Sequence, residues 1–330
     1  MGFNGNVLDQ LEQMQPSIVK LFDFPSDTNI DEIRRRCPNA LIIYRQYTNL
    51  SFDQPADKFV DELSDTLNKL KGRGIIWEGI NEPVIKSTAQ AQTLSNWYVQ
   101  FATLMHAKGE KVAAFSFSTG NPDLVYVPLL APGAKACDYL ALHEYYYPQV
   151  NSGSDLGRYR QFRDALPADA RKPILITETG ADDGQNNGWL KYYTPAQYLK
   201  ILRDYDAILR QDAYVLGATI YQYGAGDVWK TFDISTISAQ IANYIANPGP
   251  DPSNLQDTIL TEAKKHTWMP INTDGALYKY ALAQKLGYPQ TDEFEFTVGA
   301  DGYVGQVYNL GIVYVKKGDW GNVKSVKKPA

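Results

Sequence analysis

The sequence predicts an α/β fold, a (β/α)8 TIM barrel followed by a small C-terminal β-rich module. From the N-terminus to about residue 247, apolar runs of strand length alternate with stretches of helical period, the pattern of repeated β-α units. Beyond the proline-rich NPGPDPSN at Asn247–Asn254, this gives way to alternating apolar and polar residues punctuated by glycine, which reads as hairpins. A barrel can use about 250 residues as one unit, so a chain of 330 residues has room for one appendage. The expected domains are residues 1–247 for the barrel, 248–256 for a linker and 257–330 for a helix with a β-hairpin module.

Seven apolar runs read as strands buried on both faces: Ser17–Phe22, Ala40–Arg45, Ile75–Ile80, Lys111–Ser116, Asp138–His143, Ile174–Thr177 and Val215–Tyr221. Closure needs an eighth, and MGFN at Met1–Asn4, ahead of the helical Val7–Met14, is the place for it. Between the strands, Phe59, Leu63, Leu67 and Leu70 share one helical face, as do Leu94, Trp97, Phe101 and Leu104. Thr194 before Pro195 is an N-cap with proline in the first turn, and Tyr198, Leu202, Tyr205 and Leu209 continue that helix.

Composition excludes several function classes. The net charge is −5 and the basic residues form no stripe outside Lys316–Lys328, which argues against nucleic acid as a partner. No apolar run reaches 18 residues, and the opening MGFNGNVLDQ lacks the regions of a secretion signal, so a soluble chain with no membrane partner is expected. Cys37 and Cys137 have no histidine at metal-ligand spacing, and His106, His143 and His266 are scattered, so neither a metal nor a cofactor is expected. Aromatic residues make up 12% of the chain, 23 of them Tyr, which suits stacking on sugar rings as well as core packing. Oligomeric state is open.

Two segments carry the chemistry: WEGINEP at Trp77–Pro83 and PILITETG at Pro173–Gly180. Each is a β-prone run that reaches a glutamate, and at the C-terminal face of a barrel the two carboxyl groups would meet. Glycoside hydrolysis needs such a pair, one group to protonate the leaving oxygen and one to meet the developing oxocarbenium ion. Glu78 shares strand parity with Glu82, so it is expected to point into the barrel with Arg45 or Lys20 as its partner.

WEGINEP resembles the strand-four signature W-E-x-x-N-E-P of clan A glycoside hydrolases, and ITETG is similar to their strand-seven nucleophile motif. The resemblance covers roughly residues 1–247. It implies that Glu82 is the general acid/base and Glu178 the nucleophile of a retaining double displacement, and that Asn81 binds the substrate 2-hydroxyl. Glu82 would begin protonated and Glu178 ionised, with the carboxyl groups about 5–5.5 Å apart for retention. The family often places a His and a Tyr at the end of strand six; His143 would then line the glycone subsite and Tyr145 would donate to the nucleophile. Where the family commonly has a Trp at the end of strand eight, this chain has IYQYGAGDVW, so Tyr221, Tyr223 and Trp229 become candidates for the sugar platform and Trp189 for a plus-side subsite. Arg45 completes the candidate substrate-binding residues.

The C-terminal stretch from Leu286 resembles LGFP-type modules of cell-envelope proteins, with Gly287 and Tyr288 in place of the usual Gly-Phe. That implies a cell-wall glycan as a further partner and action outside the cell or on its wall. A cell-wall glycan lysin of the phage or prophage type with the same chemistry, and a non-catalytic carbohydrate-binding barrel, are the alternative readings.

Overall fold

The computed structural model describes residues 5–22, 27–150, 153, 155–224, 226, 228–246 and 272–327. The chain divides into two compact units, Met1–Ser253 and Asn254–Ala330. In the first, seven parallel strands run in sequence order through one sheet: β1 (Ile18–Phe22), β2 (Leu41–Arg45), β3 (Ile75–Glu78), β4 (Lys111–Phe117), β5 (Tyr139–Tyr146), β6 (Ile174–Ala181) and β7 (Val215–Ile220). The helices of this unit are α1 (Gly5–Met14), α2 (Asp27–Arg36), α3 (Ala56–Glu62), α4 (Ser64–Leu70), α5 (Thr88–His106), α6 (Ala131–Ala136), α7 (Tyr159–Ala165), α8 (Pro195–Leu209) and α9 (Ser238–Ala246).

The barrel interior takes one buried side chain from each of six consecutive strands, Ile18, Ile43, Ile76, Ala113, Ala141 and Leu175, with the partly buried Leu216 of β7 against them. The residues before and after these, such as Ile42, Tyr44, Ile75 and Trp77, turn outward into the layer between sheet and helices. This is the period-two alternation of a sheet covered on both faces. Phe59, Trp97, Tyr98, Phe101, Phe115, Phe117 and Phe162 pack edge-on or tilted in that outer layer.

The curl of the sheet brings β7 back to β1 at Gly217. A Cβ there would lie 2.3 Å from Ser17 Oγ and 3.3 Å from the Ile18 side chain, so close approach requires glycine. The described residues contain seven barrel strands, and the Met1–Asn4 segment expected to supply the eighth lies outside them, as does the expected linker. Helix α8 starts as its sequence signals, with Thr194 and Gln197 forming a capping box around Pro195. No helix among the described residues is long and apolar enough to cross a membrane.

Two strand ends differ from expectation. β6 continues past Thr177 to Ala181 with every residue buried, so Glu178 lies within the strand. β3 stops at Glu78, and Glu82 follows in the left-handed region at φ +47°, its N–H donating to Ser116 O at 2.9 Å. The parity argument linking Glu78 to Glu82 therefore does not apply, although Glu78 does point inward.

The second unit holds helix α10 (Ala276–Ala283) and an antiparallel sheet of β8 (Phe294–Val298), β9 (Asp301–Tyr308), β10 (Gly311–Lys316) and β11 (Lys324–Lys327), ordered β11-β10-β9-β8. Val304, Tyr308, Val313 and Val315 on one sheet face pack with Leu277, Ala281 and Leu286 to form its core.

Candidate active site

Because the barrel strands are parallel, their C-terminal ends share one face, and Glu82, His143, Tyr145, Glu178 and Arg45 gather there. Register does the assembly: His143 of β5 pairs with Glu178 of β6, and Tyr145 pairs with Gly180. Alternation along β5 turns His143 and Tyr145 to the interior. Glu144 points outward and accepts from the N–H groups of Gly157 (2.8 Å) and Tyr159 (2.6 Å) and from the Tyr205 hydroxyl (2.6 Å), tying β5 to α7 and α8.

Glu178 is the hub. Its Oε1 is 2.9 Å from Lys20 Nζ and 3.7 Å from Arg45 Nη1, while its Oε2 accepts from the Tyr145 hydroxyl at 2.9 Å and lies 3.6 Å from His143 Nδ1. His143 Nδ1 also sits 2.9 Å from Glu82 Oε1. Lys20 Nζ makes a second contact, 2.8 Å, with Glu78 Oε2, and Ser116 Oγ donates to Glu78 Oε1 at 2.8 Å.

The two candidate catalytic carboxyl groups occupy unequal environments, the Glu82 side chain 39% exposed and that of Glu178 9%. Burial acts to raise the Glu178 value, but His143, Lys20 and Arg45 outweigh it and hold the group down at about 2. Glu78 is treated alike: burial is opposed and overcome by Lys20 and His143, so its carboxyl is lowered. The Tyr145 hydroxyl is pushed far up, by burial first and by Glu178 next, so it remains a donor to the carboxylate. Burial and Glu178 also push Tyr221 up to about 12.

The other candidates divide into wall and support. Tyr221 packs edge-on against Phe22 (5.8 Å), whose ring also lies 4.6 Å beneath the Arg45 guanidinium. Trp229, 37% exposed, meets Tyr221 at 6.0 Å and Phe232 at 5.7 Å, which leaves part of its ring open to a ligand. Asn81 is exposed next to Glu82. Tyr223 instead packs partly buried against the cluster containing Ala181 and Ile234. Trp189 is a correction: it is fully buried and stacked on Tyr198 at 4.8 Å and 4°. An indole with no open face supports its loop and cannot stack a sugar. His143 likewise has a fully buried side chain, so it bridges the two glutamates where a position on the subsite wall was expected.

Sequence reasoning missed two residues. The sequence offers Lys20 only as a partner for Glu78, whereas the structure also sets it against Glu178. Asp182 lies four residues beyond Glu178 on the same strand parity; burial raises its carboxyl, the Gly184 N–H opposes this, and Asp183, Glu82 and Glu178 reinforce it. That strand parity is the sequence signal that would have found it.

One donor atom from each of Glu82, His143 and Glu178 lies within 4.8 Å of the others, close enough to surround a cation. The donor set fits poorly. Lys20 and Arg45 already face the same Glu178 oxygen, so a divalent ion would enter a repulsive field.

The fold and site together define an α/β barrel with paired carboxylates at its C-terminal face. No protein-family model matches the sequence, and no curated protein does. Similar solved structures include a β-glucuronidase from Ruminococcus gnavus, with TM-score 0.48 and 13% identity over 74% of this chain and 46% of that one. They also include a GH5-4 broad specificity endoglucanase from an uncultured bacterium, with TM-score 0.48 and 12% identity over 73% and 84% of the two chains. A third is a glycoside hydrolase family 17 β-1,3-glucanosyltransferase from Rhizomucor miehei, with TM-score 0.46 and 17% identity over 71% and 90%. The chain thus spans less than half the length of the β-glucuronidase chain.

Proposed function

We propose that this protein is a retaining glycoside hydrolase that cleaves β-glycosidic bonds of an oligo- or polysaccharide by double displacement. The observation that carries the reading is the carboxylate pair: Glu82 and Glu178 present oxygens within 4.8 Å of each other, with His143 between them. Inversion requires the carboxyl groups to stand about 6.5–9.5 Å apart to admit water, whereas direct attack needs the shorter separation.

In this reading Glu178, ionised and held by Lys20, Arg45 and Tyr145, attacks the anomeric carbon, while the more exposed Glu82 protonates the departing oxygen. Water then attacks the same carbon, Glu82 takes its proton, and the electron pair of the ester bond returns to Glu178. Asn81 would hold the 2-hydroxyl, and Tyr221 with Trp229 would form the wall of the glycone subsite.

Reducing-sugar release is the test, run across β-glucans, mannans, xylans, chitin and peptidoglycan with the wild type and Glu178→Gln. Release by the wild type alone supports the reading and names the substrate class. Tight retention on a polymer with no release supports the non-catalytic binding barrel.

A cell-wall glycan as partner rests on the second unit, whose outer sheet face carries Phe294, Phe296, Tyr303 and Tyr314, with Phe296 and Tyr303 stacked at 5.4 Å. Such a strip offers ring faces to a polysaccharide. Loss of retention of the full chain on peptidoglycan after Tyr303→Ala is the expected result; unchanged retention removes the strip from the account.

A further inference from the structure

Lys20 is an unusual residue for the wall of a barrel core. Its side chain is only 2% exposed, and its one charge lies between two carboxylates on different strands, 2.8 Å from Glu78 and 2.9 Å from Glu178. A buried ammonium with a single partner would be satisfied. This one has two, and in the proposed reaction one of the two is consumed.

We propose that Lys20 and Glu78 act as one positioning unit that sets how readily Glu178 leaves in the second displacement. The inference rests on the double-displacement reading. In the free protein the ammonium is shared between the two carboxylates. When Glu178 Oε attacks the anomeric carbon and the bond to the leaving oxygen breaks with the proton of Glu82, Glu178 becomes a neutral ester and loses its claim on that charge. Lys20 then belongs to Glu78 alone, a neutral buried pair, so its ammonium is not left stranded in the intermediate. As water displaces the ester and the electron pair returns to Glu178, the charge reforms beside Lys20.

The unit therefore has two opposed effects. Lys20 stabilises the free carboxylate, which slows its attack and speeds its departure; Glu78 draws part of the ammonium away, which moderates both. Arg45 faces the same Glu178 oxygen from farther away and His143 and Tyr145 face the other, and among the described residues none of the three contacts a second carboxylate except His143, whose second partner is the reacting Glu82. Glu78 is anchored from its far side by Ser116, so it stays in place through the cycle.

The two neutralising substitutions should therefore split the kinetics in opposite directions. On dinitrophenyl β-glycosides, whose leaving group needs no acid, kcat/KM reports attack by Glu178 and kcat reports hydrolysis of the ester. Lys20→Met should lower kcat by about tenfold or more while kcat/KM changes far less. A burst of dinitrophenol and a glycosyl mass on the peptide containing Glu178, both larger than in the wild type, should accompany it. Glu78→Gln should do the reverse, lowering kcat/KM by about tenfold with kcat nearly kept and a burst no larger than that of the wild type. If either single variant fails to fold, the Lys20→Met, Glu78→Gln double variant, which leaves no unpaired charge, should still show the slowed kcat and the burst.

Losses of kcat and kcat/KM in equal proportion in both variants would reduce the pair to a structural ion pair and overturn the proposal while leaving double displacement intact. A wild type that releases the α-anomer first from a β-glycoside would overturn both.

Discussion

Trp77 opens the segment that most resembles a catalytic signature, yet the structure gives it a supporting role that can be measured. It is fully buried, pairs across the sheet with Tyr44 at 5.2 Å between ring centroids, and donates its indole N–H to the buried Glu110 at 3.0 Å. In Trp77→Phe the Glu110 carboxylate loses that donor, which costs about 1.5–3 kcal/mol for a charged acceptor. The loss of two buried ring carbons adds about 1.6 kcal/mol. The sum, about 3–5 kcal/mol, is a large share of the stability of an ordinary domain. Urea unfolding followed by circular dichroism should report it, and a cycle with Glu110→Gln should show coupling of about 1–3 kcal/mol. Turnover of the folded variant should stay within about threefold of wild type. A stability loss below about 1 kcal/mol, or lost turnover at intact stability, would refute this reasoning and make Trp77 part of the site.

Other expectations follow from the same geometry. Glu82→Gln should lose most turnover on glycosides with poor leaving groups but keep much of it on dinitrophenyl glycosides, whereas Glu178→Gln should be inactive on both; equal residual rates would count against the role assignment. Tyr145→Phe removes a hydroxyl that donates to Glu178 at 2.9 Å and should lower kcat/KM by about ten- to a hundredfold in protein that circular dichroism shows to be folded. Burial, against the Tyr205 hydroxyl and the Gly157 and Tyr159 N–H groups, pushes Glu144 up to about 7 from an ordinary 4.5. A folded value above the unfolded one means that the native state holds the extra proton. This contribution is therefore fully present below the unfolded value and is lost as pH rises through the folded one. Urea stability should then fall by about 3 kcal/mol between pH 4.5 and 7 on this group's account, and Glu144→Gln should flatten that slope.

Much of the architecture was legible because period-two and helical patterning, together with capping at Thr194, are local. Glu82 and Glu178 were legible because a short motif surrounds each. What escaped depends on neighbours that are distant in sequence. Glu178 looked like a strand end because the apolar run stops at Thr177, but Thr177, Thr179 and Gly180 are buried as deeply as the isoleucines before them, and the ladder with β5 continues. Trp189 follows a polar, glycine-rich loop and so resembled an exposed platform; only the fold shows Tyr198, nine residues later, beneath it. Lys20 has inward parity, but its second partner, Glu178, is 158 residues away and is supplied by the curl of the barrel.

The central claim, direct attack by Glu178, is tested most directly by the stereochemistry of the first product. Proton NMR of a β-glycoside that the wild type hydrolyses, recorded in the first minutes of reaction, distinguishes the anomers before they equilibrate. The account predicts the β-hemiacetal first, with the α-anomer growing in later by mutarotation. Initial appearance of the α-anomer would mean single displacement by water, and Glu178 would have to be reassigned as a base.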